Sequence, residues 1–407
     1  MTATEAPTDR SYAEELDAGD PLGAFRERFV IDDPGLIYLD GNSLGRLPRS
    51  TQARLRQLID SEWGRELIDG WDRWLDLPMT VGDLIGTELL DARQGEVVVA
   101  DSTTVNFYRV AAAALDARTG RRAILTDRPN FPTDRYVLQG VAAARDLAVR
   151  WLEPEPVEGT QPSDVEAALD GDVALVTLSM VNYRSSALAD LPAITRLAHD
   201  AGALVLWDLS HAVGAVPVGL EEHGVDLAVG CTYKYLNAGP GSPAFLYVRS
   251  ELQDELHNPI QGWFGQRNQF AMGPDYDREP GIRGWLAGTP AVFGLAAVDE
   301  GASLCAEAGI EAMRAKVTAL TELGIALHDA WLAPAGFTLG SPRDRARRGG
   351  HIALRHPNGR ALSERLATVG VRTDFREPDS LRVGCSPLTT RFTDVWDGLS
   401  RLREMTS

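Results

Sequence analysis

The segment CTYKYLNAGPG, residues 231–241, places Lys234 between two tyrosines, directly after an apolar run and before a glycine-rich loop. Burial of an ammonium group is costly unless the charge is paired or removed. Asp208 follows an earlier apolar run, ALVLW (203–207), and His211 lies three residues after Asp208. A lysine amine forms a Schiff base with a carbonyl compound, and a carboxylate keeps a pyridine nitrogen protonated. These residue types therefore predict the chemistry of a carbonyl cofactor.

Polar segments also follow the other apolar runs in this part of the chain. The pairs are EVVVA with DSTT (96–104), AILTD with RPNFPTD (123–134), VALVTLS with MVNYRSS (173–186) and ALVLW with DLSH (203–211). Ligands of open α/β sheets collect at the carboxyl ends of the strands. Thr104 at the start of a helix suits a phosphate, because the helix dipole favours an anion there. Together these groups predict pyridoxal 5′-phosphate, with Lys234 as its Schiff-base lysine and Asp208 at its ring nitrogen.

Each of these residues also has an ordinary structural interpretation. A lysine at a strand end is usually a solvated surface residue, and an aspartate there is often a helix N-cap. A single histidine is more often a core or surface residue than a catalytic one, and threonines commonly cap helices. The cofactor hypothesis depends on the occurrence of all these groups at successive strand ends.

The elements that must hold these residues form an alternating pattern between residues 95 and 249. Short Val/Leu/Ile-rich runs without polar alternation predict strands covered on both faces, and the amphipathic stretches between them predict helices. This order predicts an α/β fold with a mostly parallel central sheet. The last two runs, VDLAVGC (225–231) and PAFLYVR (243–249), are joined by too few residues for a helical crossover, so we expect one antiparallel pair.

We expect three parts of the chain. An N-terminal segment (1–60) packs on a smaller α+β domain (298–407), which contains the short strands HIALRH and SLRVGC. The large cofactor-binding domain comprises residues 61–297.

Composition restricts the class of protein. The 407 residues are 44% hydrophobic and 24% charged, which is typical of a globular protein with a sizeable core. The net charge of −18 argues against nucleic acid or an anionic membrane as a partner. We expect no secretory signal, no membrane span and no metal site, and the three scattered cysteines favour a reducing cytoplasm.

At these same residues the sequence resembles kynureninase, a pyridoxal-phosphate enzyme with the aspartate-aminotransferase fold (fold type I). The resemblance covers nearly the whole chain, and the TYKYLN and WFG blocks are specific to this family. The segments that carry it are YLDGNSLG (38–45), NFPTD (130–134), WDLSHAVGAVP (207–217), CTYKYLNAGPGSPAF (231–245), GWFG (262–265) and LRVGCSPLTTRFTDVWD (381–397).

The resemblance implies roles for individual residues. Lys234, Tyr233 and Asp208 are the implied catalytic residues, with Tyr233 as a phosphate ligand and proton donor. Arg382 holds the α-carboxylate of the substrate. The implied cofactor-binding residues are Thr103, Thr104, Phe131, Asp134, Ser179, Asp208, His211, Tyr233, Lys234, Trp263 and Thr289. Trp263 and Thr289 match positions that reach the cofactor phosphate of the neighbouring subunit, so the resemblance implies a homodimer with shared active sites.

The implied reaction is hydrolytic Cβ–Cγ cleavage of L-kynurenine to anthranilate and L-alanine. It belongs to tryptophan catabolism in the kynurenine pathway or to NAD biosynthesis, and both remain open. Another ring-substituted substrate such as 3-hydroxykynurenine is the first alternative. A cysteine desulfurase or an aminotransferase of the same fold is a second, but a desulfurase needs a cysteine in a mobile loop. A regulator or an inactive scaffold is a third; it would add a basic helix-turn-helix segment or lack Lys234, Asp208 or Arg382.

Overall fold

The computed structural model describes residues 8–406. The helices are α1 (Arg10–Ala18), α2 (Arg49–Gln57), α3 (Trp71–Trp74), α4 (Leu77–Ile85), α5 (Thr103–Ala117), α6 (Pro132–Arg145), α7 (Pro162–Ala168), α8 (Leu191–Asp200), α9 (Val292–Ala308), α10 (Ile310–Leu327), α11 (Gly359–Thr368) and α12 (Phe392–Glu404). The strands are β1 (Ile37–Tyr38), β2 (Val97–Val99), β3 (Ala123–Asp127), β4 (Ala148–Leu152), β5 (Val173–Ser179), β6 (Leu204–Asp208), β7 (Leu227–Gly230), β8 (Phe245–Val248), β9 (Thr338–Leu339), β10 (His351–Arg355), β11 (Val371–Arg372), β12 (Asp374–Arg376) and β13 (Ser380–Gly384).

A seven-stranded sheet forms the centre of the protein, with the strand order β2-β8-β7-β6-β5-β3-β4. Strands β4, β3, β5, β6 and β7 are parallel to one another. Strand β8 runs antiparallel to both of its neighbours, β7 and β2. The mostly parallel sheet and the antiparallel pair at residues 225–249 are therefore confirmed.

Both faces of this sheet are buried, as the continuous apolar runs predict. Val97 and Val99 pack in one hydrophobic cluster, whereas Val98 between them packs in the other. The first cluster includes residues of α4, α8 and α9, and the second includes residues of α5 and α6. Because successive side chains of a strand point to opposite faces, helices cover the sheet on both sides. This arrangement confirms the α/β fold class.

A second sheet lies in the C-terminal part, with the antiparallel order β12-β13-β10-β9. The N-terminal segment contacts this part at several places, which include a strand pair and the start of a helix. Strand β1 pairs in parallel with β11, and the Asp17 carboxylate of α1 accepts hydrogen bonds from the backbone N–H groups of Phe392 and Thr393 at the start of α12, at 2.7 and 3.1 Å. The division at residues 60 and 297 stays a prediction.

Two close contacts hold the loop that contains Lys234. The backbone N–H of Gly45 donates to the carbonyl of Tyr233 at 2.8 Å. On the other side, Gly301 of α9 lies against the carbonyl of Leu236, and a Cβ atom at residue 301 would stand 2.0 Å from that oxygen. Glycine is required at residue 301 because the helix approaches the loop so closely. The loop is therefore held between the N-terminal segment and α9.

Within residues 8–406, none of the helices is long and apolar enough to cross a membrane. The same part of the chain contains no cluster of three or more His, Cys, Asp or Glu side chains placed to hold a metal ion.

Candidate active site

A cavity of about 250 Å³ opens where the parallel strands of the central sheet end. Nine of the residues predicted for the site line it together: Thr103, Thr104, Phe131, Asp134, Ser179, Asp208, His211, Tyr233 and Lys234. Other lining residues include Ser102, Tyr183 and Ser210. The carboxyl ends of the strands thus bring most of the predicted groups to one place, although their separate roles remain predictions.

The register of the sheet determines how Asp208 and Lys234 meet. Ser179 and Asp208 are paired residues at the ends of β5 and β6. Asp208 also pairs with Val229 of β7, and Lys234 follows that strand after a few residues. The carboxylate and the amine therefore come from neighbouring strands and face the same cavity.

Lys234 is buried, with 8% of its surface exposed, and its amine lies among aromatic rings. The Nζ atom is 5.8 Å from the centre of the Phe131 ring and 5.9 Å from that of Tyr233. The ring of Phe131 in turn packs edge-on against Tyr183 at 5.2 Å. These two rings place apolar surface beside the amine.

Two buried carboxyl groups face the cavity with different surroundings. Asp208 accepts a hydrogen bond through Oδ1 from the backbone N–H of Ser210 at 2.8 Å. Asp134 is buried beside Asp208. Burial, followed by the charge of Asp208 and a side-chain hydrogen bond with it, holds the pKa of Asp134 well above its usual value. Asp134 therefore keeps its proton and shares it with the Asp208 carboxylate. Two carboxyl groups that line one cavity make it suited to a polar ligand.

His211 is buried in the cavity wall, and its Nδ1 atom has no hydrogen-bond partner among residues 8–406. Its ring centre is 5.6 Å from that of His351 on β10, which is also buried. Burial lowers the pKa of His211 well below the usual value, and the positive charges of Lys234 and Arg382 lower it further. His211 is therefore neutral at physiological pH and offers the cavity a hydrogen-bonding ring without a charge.

The N-terminus of α5 also lines the cavity. Ser102 is the N-cap residue, and its hydroxyl accepts a hydrogen bond from the backbone N–H of Val105 at 3.4 Å. Thr103 and Thr104 occupy the first turn and line the cavity. Backbone N–H groups and hydroxyls at a helix N-terminus are suited to a phosphate group. Lys234 and Asp208 line the same cavity as this helix N-terminus. The residues present therefore fit pyridoxal 5′-phosphate.

Arg382 lies outside the cavity wall, although the sequence places it in the substrate site. It is 1% exposed and donates from Nη1 to the carbonyl of Tyr183 at 2.6 Å. Its Nη2 atom donates to the Ser43 hydroxyl at 3.0 Å and to the carboxylate of Asp374. Since Tyr183 lines the cavity, Arg382 is connected to the site through that residue.

Trp263 and Thr289 are not brought to this cavity. Trp263 is 42% exposed, its indole N–H donates to the carbonyl of Gln269 at 2.7 Å, and Thr289 is exposed as well. A single chain therefore leaves both residues at the surface.

Several residues of the site were not predicted, among them Ser102, Ser210, Tyr183 and, beside Arg382, Asp374. Tyr183 lies in the segment MVNYRSS, and its position after a strand was the only signal for it. Asp374 lies on β12 and reaches Arg382 through the pairing of β12 with β13. Sequence spacing gives no indication of that contact.

Comparison with known proteins places this geometry in a family. Residues 313–402 match the model of the kynureninase C-terminal domain. A kynureninase from Pseudomonas fluorescens is 43% identical over 404 residues, which cover 98% of this chain and 95% of the relative. A kynureninase from Burkholderia pseudomallei (strain 1106a) is 42% identical, with 97% and 95% covered. The chain belongs to the kynureninase family.

Solved structures similar to this member of the kynureninase family share its fold at low sequence identity. A cysteine desulfurase from Thermococcus onnurineus superimposes with a TM-score of 0.79 at 17% identity, covering 100% of this chain and 99% of the other. A cystine C–S lyase, solved as a variant with glycine linked to its pyridoxal-phosphate cofactor, gives a TM-score of 0.81 at 17% identity, with 93% and 99% covered. The fold is therefore fold type I of the pyridoxal-phosphate enzymes, as the sequence predicts.

Proposed function

We propose that this protein is a pyridoxal-phosphate-dependent hydrolase that cleaves the Cβ–Cγ bond of L-kynurenine and releases anthranilate and L-alanine. The observation that carries the proposal is the cavity where Lys234, Asp208 and the N-terminus of α5 meet. The identity of 43% to a kynureninase over 98% of the chain supports the same reaction.

Different residues of the cavity hold different parts of the cofactor. Lys234 attaches it covalently, Asp208 keeps a proton on its ring nitrogen, and Thr103 with Thr104 receives its phosphate at the helix N-terminus. Bound pyridoxal phosphate supplies an electron sink for breaking bonds at the substrate's α- and β-carbons. Phe131 and His211 line the same cavity and would offer the cofactor ring an aromatic surface and a neutral imidazole.

Before each proton transfer, the donor must carry its proton and the base must be free of one. The amine of Lys234, when it is not attached to the cofactor, would remove the proton from the substrate's α-carbon. Tyr233 keeps its hydroxyl proton, because the nearby Cys231 thiol and then burial raise its pKa. Its hydroxyl donates that proton to Cβ after the Cβ–Cγ bond breaks. Such general acid–base assistance contributes about 10²–10⁴-fold per step.

The hydrolytic step adds one water molecule to the γ-carbonyl carbon of the substrate. Lys234, after it has given the α-proton back to the bound substrate and cofactor, would accept a proton from this water as the water oxygen bonds to Cγ. The Cβ–Cγ bond then breaks, the water oxygen leaves within the carboxyl group of anthranilate, and Arg382 retains the α-carboxylate of the alanine portion.

The desulfurase alternative finds no support in the cysteines. Cys231, Cys305 and Cys385 are all buried, and burial raises the pKa values of the last two thiols to about 12. A persulfide-forming cysteine must be accessible and easily deprotonated. The fold shared with a desulfurase therefore does not extend to that chemistry.

Parallel assays with kynurenine and 3-hydroxykynurenine test the proposed reaction. The purified protein is incubated with pyridoxal phosphate and each substrate, and the aromatic product is followed by fluorescence while alanine is measured separately. Release of equal amounts of both products supports the proposal, and the ratio of kcat/KM values decides the preferred ring. Absence of alanine with both substrates would contradict it.

The proposed homodimer is supported by exposed apolar side chains near the expected shared site. Trp263 packs edge-on against Phe270 at 5.7 Å, and the neighbouring Met272 is also exposed. Trp63 and Phe293 form a second exposed aromatic pair, with their ring centres 5.9 Å apart. Exposed apolar groups of this size commonly mark protein interfaces. A second copy of the chain would cover them and bring Trp263 to the partner's cofactor.

Subunit complementation tests the shared site. Lys234→Ala and Trp263→Ala dimers are each expected to have low activity. After mixing with subunit exchange, hybrid dimers contain one site with both native residues, so activity should rise to about a quarter of that of the unaltered enzyme. No recovery, despite hybrid dimers detected by mass spectrometry, would contradict a shared site.

The cytoplasmic location and the role in tryptophan catabolism or NAD biosynthesis stay predictions, as does the lack of nucleic-acid and membrane partners.

A further inference from the structure

The guanidinium of Arg382 is already engaged by groups of the protein itself. Nη1 donates to the carbonyl of Tyr183, and Nη2 donates to the Ser43 hydroxyl and to the Asp374 carboxylate. An arginine has five N–H groups, two of which belong to Nη2. Both donors of Nη2 therefore have acceptors, whereas the buried Nε has no acceptor among residues 8–406.

This occupation matters because of the way arginine binds a carboxylate. A bidentate pair uses two parallel N–H groups along one edge of the guanidinium. One edge consists of Nη1 and Nη2, and the other consists of Nε and Nη2. Both edges include Nη2, so an incoming carboxylate gains bidentate contact with Arg382 only when Nη2 releases Asp374 or Ser43.

Asp374 has a second cation that can keep it after release. Its Oδ2 atom accepts from Nε and Nη2 of Arg376 at 3.0 and 2.8 Å. The Arg376 side chain is 39% exposed, whereas that of Arg382 is nearly fully buried, so Arg376 has room to move with the aspartate. Ser43 lacks such an alternative charged partner and is itself a donor to Asp374 at 3.1 Å.

We propose that Asp374 occupies the carboxylate-binding edge of Arg382 in the substrate-free enzyme and yields it to the α-carboxylate of the substrate, moving onto Arg376. The inference rests on the proposed function, in which Arg382 binds that carboxylate. Before substrate arrives, Asp374 neutralises a buried guanidinium that would otherwise lack an anionic partner. The same contact lowers the apparent affinity for amino acids, because only the fraction of enzyme with a free edge is competent to bind.

Binding of L-alanine to the holoenzyme tests the exchange without requiring turnover. Alanine carries the same α-carboxylate as kynurenine, and L-alaninamide is the matched ligand without that charge. Both are titrated against the cofactor's visible absorbance. Asp374→Asn should lower the Kd of alanine about fivefold, because a hydrogen bond to a neutral amide is weaker than one to a carboxylate. The Kd of alaninamide should not change.

Asp379→Asn is the control for loss of a negative charge in the same sheet region, because Asp379 pairs with the exposed Arg355. It should leave both Kd values unchanged. An alanine Kd that is unchanged or higher in Asp374→Asn, or an equal decrease in Asp379→Asn, would overturn the exchange. If Arg382→Gln binds alanine as well as the unaltered enzyme does, the assignment of Arg382 fails instead.

A structure of the unaltered holoenzyme with alanine keeps the test independent of variant folding. The exchange predicts the alanine carboxylate on Nη2 of Arg382, and Asp374 in contact with Arg376 but no longer with Arg382. Alanine bound to Arg382 with the Asp374–Arg382 contact retained would overturn it.

Discussion

Replacement of Arg382 by glutamine separates substrate binding from the folding role of this buried residue. The change removes the three hydrogen bonds that Arg382 donates to Tyr183, Ser43 and Asp374. Asp374 keeps its contacts with Arg376, so no carboxylate is left alone in the interior. We therefore expect a loss of about 1–2 kcal/mol in the free energy of unfolding, below the ~3–5 kcal/mol typical of a broken buried ion pair.

The effect on catalysis should be larger. A hydrogen bond to a charged group contributes about 1.5–3 kcal/mol, and a bidentate pair contains two of them. Because Asp374 competes for the same edge, the net loss lies at the lower end of that sum, which corresponds to a decrease in kcat/KM of about 10²-fold. Most of the decrease should appear in KM, since the carboxylate is bound in the ground state and the transition state alike.

The assay is steady-state cleavage of kynurenine, with thermal unfolding followed in parallel. Arg355→Gln is the matched control: Arg355 is an exposed arginine on β10, in the same sheet, and pairs with Asp379. It should leave kcat and KM unchanged. If Arg382→Gln keeps kcat/KM within about threefold of the unaltered enzyme, Arg382 does not hold the substrate and the reasoning fails.

Three further changes address the ring nitrogen, the loop packing and a buried carboxyl group. Asp208→Asn should reduce kcat by about 10²–10⁴-fold with the cofactor retained; a decrease of less than about tenfold would contradict its role at the ring nitrogen. Gly301→Ala should lower the free energy of unfolding by about 1–3 kcal/mol, because its Cβ would stand 2.0 Å from the Leu236 carbonyl oxygen. Gly140→Ala in α6 is the control for that thermal melt. An added Cβ there would meet no described atom within 4 Å outside its own stretch of helix, so the change should not destabilise the protein. Burial raises the pKa of Asp127 to about 6, so the folded protein binds this proton more tightly than the unfolded chain and the group favours folding more as pH falls towards 4. Asp127→Asn should therefore raise the melting temperature at pH 7.5, with a gain that disappears below pH 4; a gain independent of pH would contradict the assignment.

The sequence predicts the central sheet well because its strands are buried on both faces. AILTD and VALVTLS coincide with β3 and β5. Strand β4 was missed, since AVRWL is an edge strand with only its last residue fully buried. It therefore lacks the continuous apolar pattern of the central strands.

The candidate site was predictable to the extent that it lies at strand ends. Asp208 and Lys234 follow apolar runs, so their convergence follows from parallel pairing. The contact of Asp374 with Arg382 depends instead on the hairpin of β12 and β13, and no local pattern marks it. Trp263 was assigned by family resemblance alone, and it is exposed in a single chain. Its predicted role depends on the proposed homodimer, which no pattern in one chain can test.

The most direct test of the central claim is chemical trapping of the cofactor on its lysine. The protein saturated with pyridoxal phosphate is reduced with borohydride, digested and analysed by peptide mass spectrometry. A pyridoxyl group on the peptide that contains Lys234, together with loss of the visible absorbance in Lys234→Ala, is the predicted result. Labelling of a different lysine, or an unchanged visible band in Lys234→Ala, would contradict the account.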